Sequence, residues 1–339
     1  MKYRLLIGLL MSLSGLVQAG NFSKDHPAVI YMAVWRGCEE ACQGFIDYLQ
    51  DTNVPTKIVI RDADKDKTRL PVFLAEAKDM KPDLVVTWGT SVSRAIIGSM
   101  DKNPDQSLLG DIPALFMVVA DPLGAGIVSS YDHSGRDQVT GILNRVPEDV
   151  QIRAMQEYFD VHKMGVIYSP SELNSVLNTQ ALQALADDMG FELVEETYQD
   201  DDKGRPLPGQ IPAMMQKLAD AKVDVVYVGS SSYNLSNSDE FTSAALAVGL
   251  PVVSAYDSMV TSSHGLMAVA NRYYNVGRLA GNQAAKVLVD GEVPGSLPIA
   301  SLSRYSMFIN MDVAKQLKLY PSIQLLRFAE LVQTGSEEQ

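Results

Sequence analysis

The sequence predicts an α/β fold in which two lobes, each built on a parallel sheet, face each other across a cleft. Apolar strand segments alternate with helical segments along the chain, which is typical of parallel sheets joined by right-handed crossovers. The 339 residues exceed a comfortable single core and favour two domains. Four of the strands also run directly into small hydroxyl residues that open a helix.

These four strand ends predict where a ligand would bind. In chain order they carry Thr90 with Ser91, Ser169 with Ser175, Ser230 to Ser232, and Ser254 with Ser258. In open α/β sheets, ligands bind at the carboxyl ends of the strands, beside helix N-termini that favour anions. At any single site the same residues can serve as helix N-caps, and that alternative stays open. Their recurrence in both halves of the chain favours a cleft.

The individual elements follow from the spacing of apolar residues and from turn signals. The first half predicts strands at 26–35, 55–64, 83–88, 112–119 and 139–143, and helices at 37–51, 69–78, 91–100 and 147–160. The second half predicts strands at 164–169, 191–198, 223–229, 251–256, 265–270 and about 302–309. Its helices are predicted at 174–190, 211–222, 237–249, 274–291 and from Met311, and the polar run 199–210 is predicted as a loop.

The N-terminus has the pattern of an export signal. Lys2 and Arg4 precede the apolar run from Leu5 to Val17, and Ala19 ends a site of the kind that signal peptidase cleaves. The run is short for a spanning helix, which needs roughly 20 apolar residues, although a retained anchor is the alternative. We therefore expect residues 1–19 to be a signal peptide cleaved near Ala19, and the protein to be periplasmic.

The charge balance excludes two classes of partner. The chain has 41 acidic against 28 basic residues, a formal net charge of −13. Such an acidic surface repels nucleic acid and anionic lipid alike, so we expect neither as a partner.

Cys38 and Cys42 are the only cysteines. In an oxidising compartment a pair is usually a disulfide, although the four-residue spacing is awkward for the geometry of a bridge. The sequence favours a local disulfide over two free thiols and gives no sign of a metal or redox site.

The sequence contains almost no catalytic or cofactor-binding motif. The four histidines are scattered without metal-ligand spacing, and no nucleophile elbow or nucleotide-binding loop is present. We therefore predict a protein that is not an enzyme and that needs no cofactor and no metal.

Side chains suited to holding a solute are present near the strand ends. Arg36, Arg94 and Arg272 could each clamp a carboxylate, with Arg272 favoured because it lies between a strand and a helix. The aromatic residues at strand ends, which could sandwich a planar ligand, are Trp35, Trp88, Tyr233, Tyr256 and Tyr273. Asp121, before Pro122, is a candidate turn or hinge flank.

Several stretches, in the same order along nearly the whole chain, resemble a known family. They are IPALFMVVADPLGAGIV (112–128), VTGIL, GVIYSPSELNS (165–175), DVVYVGSSSYN, YYNVGRLAGNQAAKVLVDGEVP (273–294) and FINMDVAKQLKL. The chain resembles the exported substrate-binding proteins of ABC importers, a family that includes tryptophan- and tyrosine-binding proteins. The resemblance implies a type I periplasmic-binding fold: two Rossmann-like lobes with parallel sheets, joined by a three-crossover hinge.

The resemblance also implies ligand-facing residues and two departures. The family's Thr-containing turn and E-x-N-S turn correspond to Thr90, Ser91, Glu172, Asn174 and Ser175. Where relatives often carry Asp, this chain has Ser231 and Arg272, which favours a ligand without an ammonium group and allows an anion. The candidate ligand-binding residues are Trp35, Arg36, Thr90, Ser91, Asp121, Ser169, Glu172, Asn174, Ser175, Ser231, Tyr233, Tyr256, Asp257 and Arg272.

The predicted function is capture of a small amino-acid-like, aromatic or carboxylate solute by hinge closure, with delivery to an ABC permease in the inner membrane. Residues 20–143 with 272–298 would form lobe 1, and residues 144–271 with 299–339 would form lobe 2. We expect a monomer. The alternative keeps the fold but makes the protein a periplasmic sensor that presents its bound state to a receptor kinase or cyclase. The sequence does not separate these two roles.

Overall fold

A computed structural model describes residues 22–333 and has the α/β architecture that the sequence predicts. The predicted signal segment lies outside the described residues. The strands are β1 (Ala28–Val34), β2 (Thr56–Asp62), β3 (Leu84–Trp88), β4 (Ala114–Val119), β5 (Val139–Leu143), β6 (Lys163–Tyr168), β7 (Glu192–Thr197), β8 (Val225–Val228), β9 (Val252–Ser254), β10 (Met267–Ala270), β11 (Ala300–Ser301), β12 (Ser306–Asn310) and β13 (Ala329–Val332).

The helices alternate with these strands. They are α1 (Glu40–Asp51), α2 (Leu70–Met80), α3 (Thr90–Ile96), α4 (Glu148–Tyr158), α5 (Leu173–Met189), α6 (Ile211–Asp220), α7 (Ser232–Ser236), α8 (Ser238–Ala247), α9 (Ser258–Thr261), α10 (Tyr273–Leu288), α11 (Met311–Leu317) and α12 (Ile323–Leu326). Short 3₁₀ helices lie at Lys67–Arg69 and Pro294–Ser296. Among the described residues, no helix is both long enough and apolar enough to span a membrane.

The first sheet has the strand order β11-β5-β4-β3-β1-β2 and is parallel throughout. Strands β3 and β4 are buried at every residue because helices cover both faces of the sheet. Helix α10 joins this lobe by packing against α1 at a close approach. A side chain on Gly277 would place its Cβ 1.9 Å from the carbonyl oxygen of Ala41, so the contact requires glycine.

The second sheet has the order β13-β12-β10-β9-β8-β6-β7. It is parallel except between β10 and β12, which are antiparallel, so both sheets are mostly parallel, as predicted. The chain reaches β12 from the first sheet and not through a crossover helix within the second. The right-handed β-α-β connection that imposes a parallel direction is therefore missing here.

The chain crosses between the sheets three times: after β5, after β10 and after β11. The predicted boundary at residue 298 is a few residues early, because Ala300 and Ser301 still pair with Ile142 and Leu143 of the first sheet. Edge strand β5 has free backbone groups on that side, and β11 satisfies them. Helix α12 and strands β11 and β13 were not predicted from the sequence, and the short helices α7 and α9 begin at strand ends where the hydroxyl residues predicted a helix start. We call the parts built on the first and second sheets lobe 1 and lobe 2.

The disulfide alternative is the one present in the structure. Cys38 and Cys42 are bonded, with Cα atoms 5.1 Å apart, where β1 leads into α1. The bridge lies two residues after Arg36 and holds the turn that carries this side chain to the cleft.

Candidate ligand-binding site

A cleft of about 480 Å³ lies between the two lobes, at the carboxyl ends of their strands. Lobe 1 lines it with residues at the carboxyl ends of β1, β2, β3, β4 and β5, and lobe 2 with residues that follow β6, β7, β8 and β9. The cleft also includes Tyr273, the first residue of α10, next to the second crossing. The predicted position of a ligand site, at strand ends of both lobes, coincides with this cavity.

The lobe 1 wall is shaped by abrupt strand ends. Strand β3 ends at Trp88 and helix α3 begins at Thr90, and Gly89 between them has φ +91°, which allows the immediate turn. At β4, Val118 has φ +55°, where the pairing with β5 shifts register. A β-branched residue rarely adopts this conformation, and Val118 lines the cleft.

The lobe 2 wall is held together by the carboxylate of Glu172. Its Oε1 accepts hydrogen bonds from the backbone N–H of Ser232 (2.8 Å) and from Asn174 Nδ2 (3.1 Å). Its Oε2 lies 3.1 Å from Ser175 Oγ and 3.4 Å from Ser231 Oγ. Glu172 thus ties the turn after β6 to the start of α7, and its Oε1 accepts two hydrogen bonds from within the lobe.

Two buried guanidinium groups contribute positive charge to the cleft. The Arg36 side chain is 8 % exposed, with Nε 2.7 Å from Glu39 Oε1 and its guanidinium carbon 4.9 Å from the centre of the Trp88 ring. The Arg145 side chain is 7 % exposed, with Nη1 3.2 Å from Glu148 Oε1. Burial has the largest effect and lowers the pKa of Arg145, but Glu148, Tyr227 and Tyr256 together outweigh it, and the pKa lies above its usual value. Both arginines therefore stay charged.

Aromatic side chains form much of the remaining surface. Trp35, Trp88, Tyr233, Tyr256 and Tyr273 all line the cleft. Tyr256 and Tyr273 meet edge to face, with ring centres 6.1 Å apart. Burial raises the pKa of both phenols, so they remain neutral donors or acceptors.

The structure brings most of the sequence-predicted residues together at the cleft. Those that line it are Trp35, Arg36, Thr90, Ser91, Ser169, Glu172, Asn174, Tyr233 and Tyr256.

The other predicted residues lie outside the lining, each in a structural contact. Asp121 Oδ1 accepts a hydrogen bond from the N–H of Gly124 in a turn. Ser231 and Asp257 accept hydrogen bonds at the starts of α7 and α9, which is the N-cap role left open above. Ser175 Oγ lies 2.5 Å from the carbonyl oxygen of Ser230.

Arg272 is a correction to the sequence prediction. Its side chain is half exposed, forms an ion pair with Glu330 of β13 and stacks on the ring of Phe308. It does not line the cleft. The residue lies between a strand and a helix as expected, but the guanidinium turns along the second sheet toward an edge strand that the sequence did not predict.

Other cleft residues escaped the sequence analysis. Asn144 and Arg145 follow β5, whose end carries no hydroxyl residue, so the search for hydroxyl-rich strand ends passed over them. Lys65 and Lys67 follow β2, and residues 204–208 with Asp201 come from the loop after β7. The carboxyl-end rule, applied to every strand, would have included Asn144 and Arg145. In the described residues, no group of His, Cys, Asp and Glu side chains could hold a metal ion.

Comparisons with known families and curated proteins point in one direction. The family described as "ABC transporter substrate binding protein" matches residues 28–333 of this chain. A tyrosine-binding protein of Clostridioides difficile (strain R20291) is 26 % identical over 286 residues, covering 83 % of this chain and 77 % of that protein.

Solved structures share the fold. A conserved domain protein from Vibrio cholerae superposes with a TM-score of 0.78 at 23 % identity, covering 90 % of this chain and 99 % of the other. A Streptococcus pneumoniae ABC domain in complex with L-Trp has a TM-score of 0.76 at 21 % identity, covering 89 % and 99 %. The fold is the type I periplasmic-binding fold, as the sequence resemblance implied.

Proposed function

The chain belongs to the family of ABC transporter substrate-binding proteins, and from this premise we propose that it captures a small molecule between its lobes and delivers it to the permease of an ABC importer. The observation that carries the proposal is the cleft of about 480 Å³, lined by strand ends of both lobes. Three crossings join the lobes next to it. Such an arrangement suits closure about a hinge around a ligand.

A contact between the lobes supports the closing motion. Lys67 Nζ of lobe 1 donates a hydrogen bond of 3.0 Å to the carbonyl oxygen of Ser171 in lobe 2. This bond exists only when the two rims of the cleft are close. It therefore stabilises the closed form.

The lining supports a ligand with a planar apolar part. Two tryptophans and three tyrosines reach the cleft, and relatives of this chain include a tyrosine-binding protein and a structure with bound L-Trp. Aromatic stacking would cover the ring of such a solute, and the hydroxyl and amide groups of the strand ends would bind its polar groups. We propose a monomeric, non-enzymatic protein that works in the periplasm after cleavage near Ala19.

The binding role is tested by a thermal-shift screen of amino acids, aromatic acids, purines and small carboxylates. A ligand at ~100 times its dissociation constant adds about 2.7 kcal/mol of stability. Small-angle scattering with the best ligand should then give a smaller radius of gyration than the free protein. A screen in which no compound class raises the melting temperature would contradict the proposal.

The transport role is tested by uptake of the labelled ligand in cells that lack the gene. Uptake should fall and return when the wild-type gene is restored. A cleft variant that melting curves show to be folded and calorimetry shows not to bind should not restore it. Unchanged uptake of a tightly bound ligand would reject the importer role and favour the sensor.

A further inference from the structure

We propose that this cleft selects a planar organic anion that lacks an ammonium group, and that Arg145 binds its carboxylate. The inference rests on the proposed function and names the class of ligand within it. It comes from the charge lining the cleft and from the hydrogen-bonding state of each charged group there.

The charged side chains of the lining are mostly basic in a protein that is acidic overall. The basic residues lining the cleft are Arg36, Lys65, Lys67, Arg145 and Arg205, against Glu172 and Asp201 as the acidic ones. The whole chain shows the opposite balance, with 41 acidic and 28 basic residues. Arg36 and Arg145 are paired with Glu39 and Glu148, which do not line the cleft, so the charged groups that face a ligand there are mostly basic and favour an anion.

The two acidic groups of the lining are already engaged. Glu172 accepts from the N–H of Ser232 and the amide of Asn174 and lies beside two serine hydroxyls. Asp201 forms a two-point ion pair with Arg205, with oxygen–nitrogen distances of 2.7 and 2.9 Å. An ammonium group of a ligand would have to displace these partners. Neither carboxylate of the lining is therefore without a partner, as one that balanced an amino-acid ammonium would be.

Unlike these two carboxylates, Arg145 has hydrogen-bond donors that lack an acceptor. Its side chain is 93 % buried and Nη1 faces Glu148, whereas Nε and Nη2 have no described residue in hydrogen-bond geometry. The buried hydroxyl of Tyr227 interacts with the guanidinium and donates its proton to Gln151. The N–H bonds of Nε and Nη2 lie parallel along one edge of the planar guanidinium. That edge fits the two oxygens of a carboxylate. A buried charged group with an unsatisfied edge, in a residue that lines a cleft, indicates a missing anionic partner.

Further groups fit the rest of such a ligand. Trp88 Nε1 is buried without a partner and can donate to a second oxygen, and Asn144 Oδ1 is an unpartnered acceptor that suits an N–H or hydroxyl group. Arg36 also lines the cleft, stacked on Trp88 and paired with Glu39. The lining tyrosines and tryptophans supply the faces for a ring.

The test compares matched probes that differ only in their charged groups. The first series is 3-(4-hydroxyphenyl)propionate, L-tyrosine and tyramine, and the second is indole-3-propionate, L-tryptophan and tryptamine. Calorimetric titration should show that at least one propionate binds at least ten-fold more tightly than its amino acid, and that the amines do not bind. An amino acid or amine that binds as tightly as its propionate overturns the inference.

Two variants test the role of Arg145. Arg145→Gln should weaken binding of the propionate by about ten- to a hundred-fold, and Arg145→Lys should recover only part of this, because an ammonium lacks the planar fork. Arg272→Gln, the matched control outside the cleft, should change affinity by less than about two-fold. Unchanged affinity in a folded Arg145→Gln protein rejects the assignment. Melting curves show whether each variant is folded. If a variant does not fold, the probe series on the wild-type protein still decides the class of ligand.

Failure of the inference and failure of the proposed function give different results. If a cationic or neutral compound from the thermal-shift screen binds and changes the fluorescence of Trp35 or Trp88, the cleft is a binding site and only its selectivity for anions is wrong. If no compound of any class binds, both proposals fail.

Discussion

Replacing Lys67 by methionine should open the free protein. In the structure, Lys67 Nζ reaches across the cleft to the carbonyl oxygen of Ser171 at 3.0 Å. A hydrogen bond to a charged donor contributes about 1.5–3 kcal/mol, and the exposure of Lys67 reduces this to roughly 0.5–1 kcal/mol. Loss of the bond should therefore raise the ratio of open to closed molecules about two- to five-fold.

The assay uses the two tryptophans of the chain, Trp35 and Trp88, which both line the cleft. Acrylamide, a neutral quencher, should reach them more often in the ligand-free Lys67→Met protein than in the wild type. Lys57→Met removes the same charge from an exposed position on β2 and is the control. Equal quenching in both variants and the wild type would refute the view that Lys67 holds the lobes together.

Two further substitutions test the lobe 2 wall of the cleft and the contact between α1 and α10 in lobe 1. Glu172→Ala leaves the N–H of Ser232 without its acceptor, so it should cost about 1–3 kcal/mol of unfolding free energy and weaken ligand binding, measured by urea denaturation and calorimetry. Glu192→Ala, at a side chain that is 63 % exposed, should change neither the unfolding free energy nor ligand binding. A Glu172→Ala protein as stable and as tightly binding as the Glu192→Ala protein would contradict the reasoning. Gly277→Ala places a Cβ 1.9 Å from Ala41 O and should cost about 1–3 kcal/mol in thermal melts, whereas Asn275→Ala on the exposed face of α10 should cost little. A Gly277→Ala protein as stable as the wild type would show that α1 and α10 separate freely.

The fold was predictable because its elements are locally consistent. Strands such as β3 and β4 are apolar at nearly every residue and buried on both faces, and short polar segments separate them from amphipathic helices. The elements that the sequence analysis missed are short or depend on distant partners. Strand β11 has two residues and exists because it pairs with β5, and β13 pairs with β12 only after the third crossing. Local pattern carries no information on such pairings.

The site was predictable only where a rule about strand ends applied. That rule led to Thr90, Ser169 and Tyr256, which line the cleft. It could not place the side chain of Arg272, because the direction of a long side chain depends on its partner, here Glu330, 58 residues further along the chain. Arg145 was missed for the converse reason: its unusual state, a buried guanidinium with an unpaired edge, is a property of packing alone.

The most direct test of the central claim, that a ligand binds between the lobes, is a fluorescence titration of the two single-tryptophan proteins, Trp35→Phe and Trp88→Phe. Each retains one tryptophan in the cleft, and the chain has no other. With 3-(4-hydroxyphenyl)propionate, or with the tightest non-indole ligand of the screen, both proteins should give saturable signals with dissociation constants that agree with calorimetry. Binding by calorimetry without a change in either tryptophan would place the ligand outside the cleft and contradict the account.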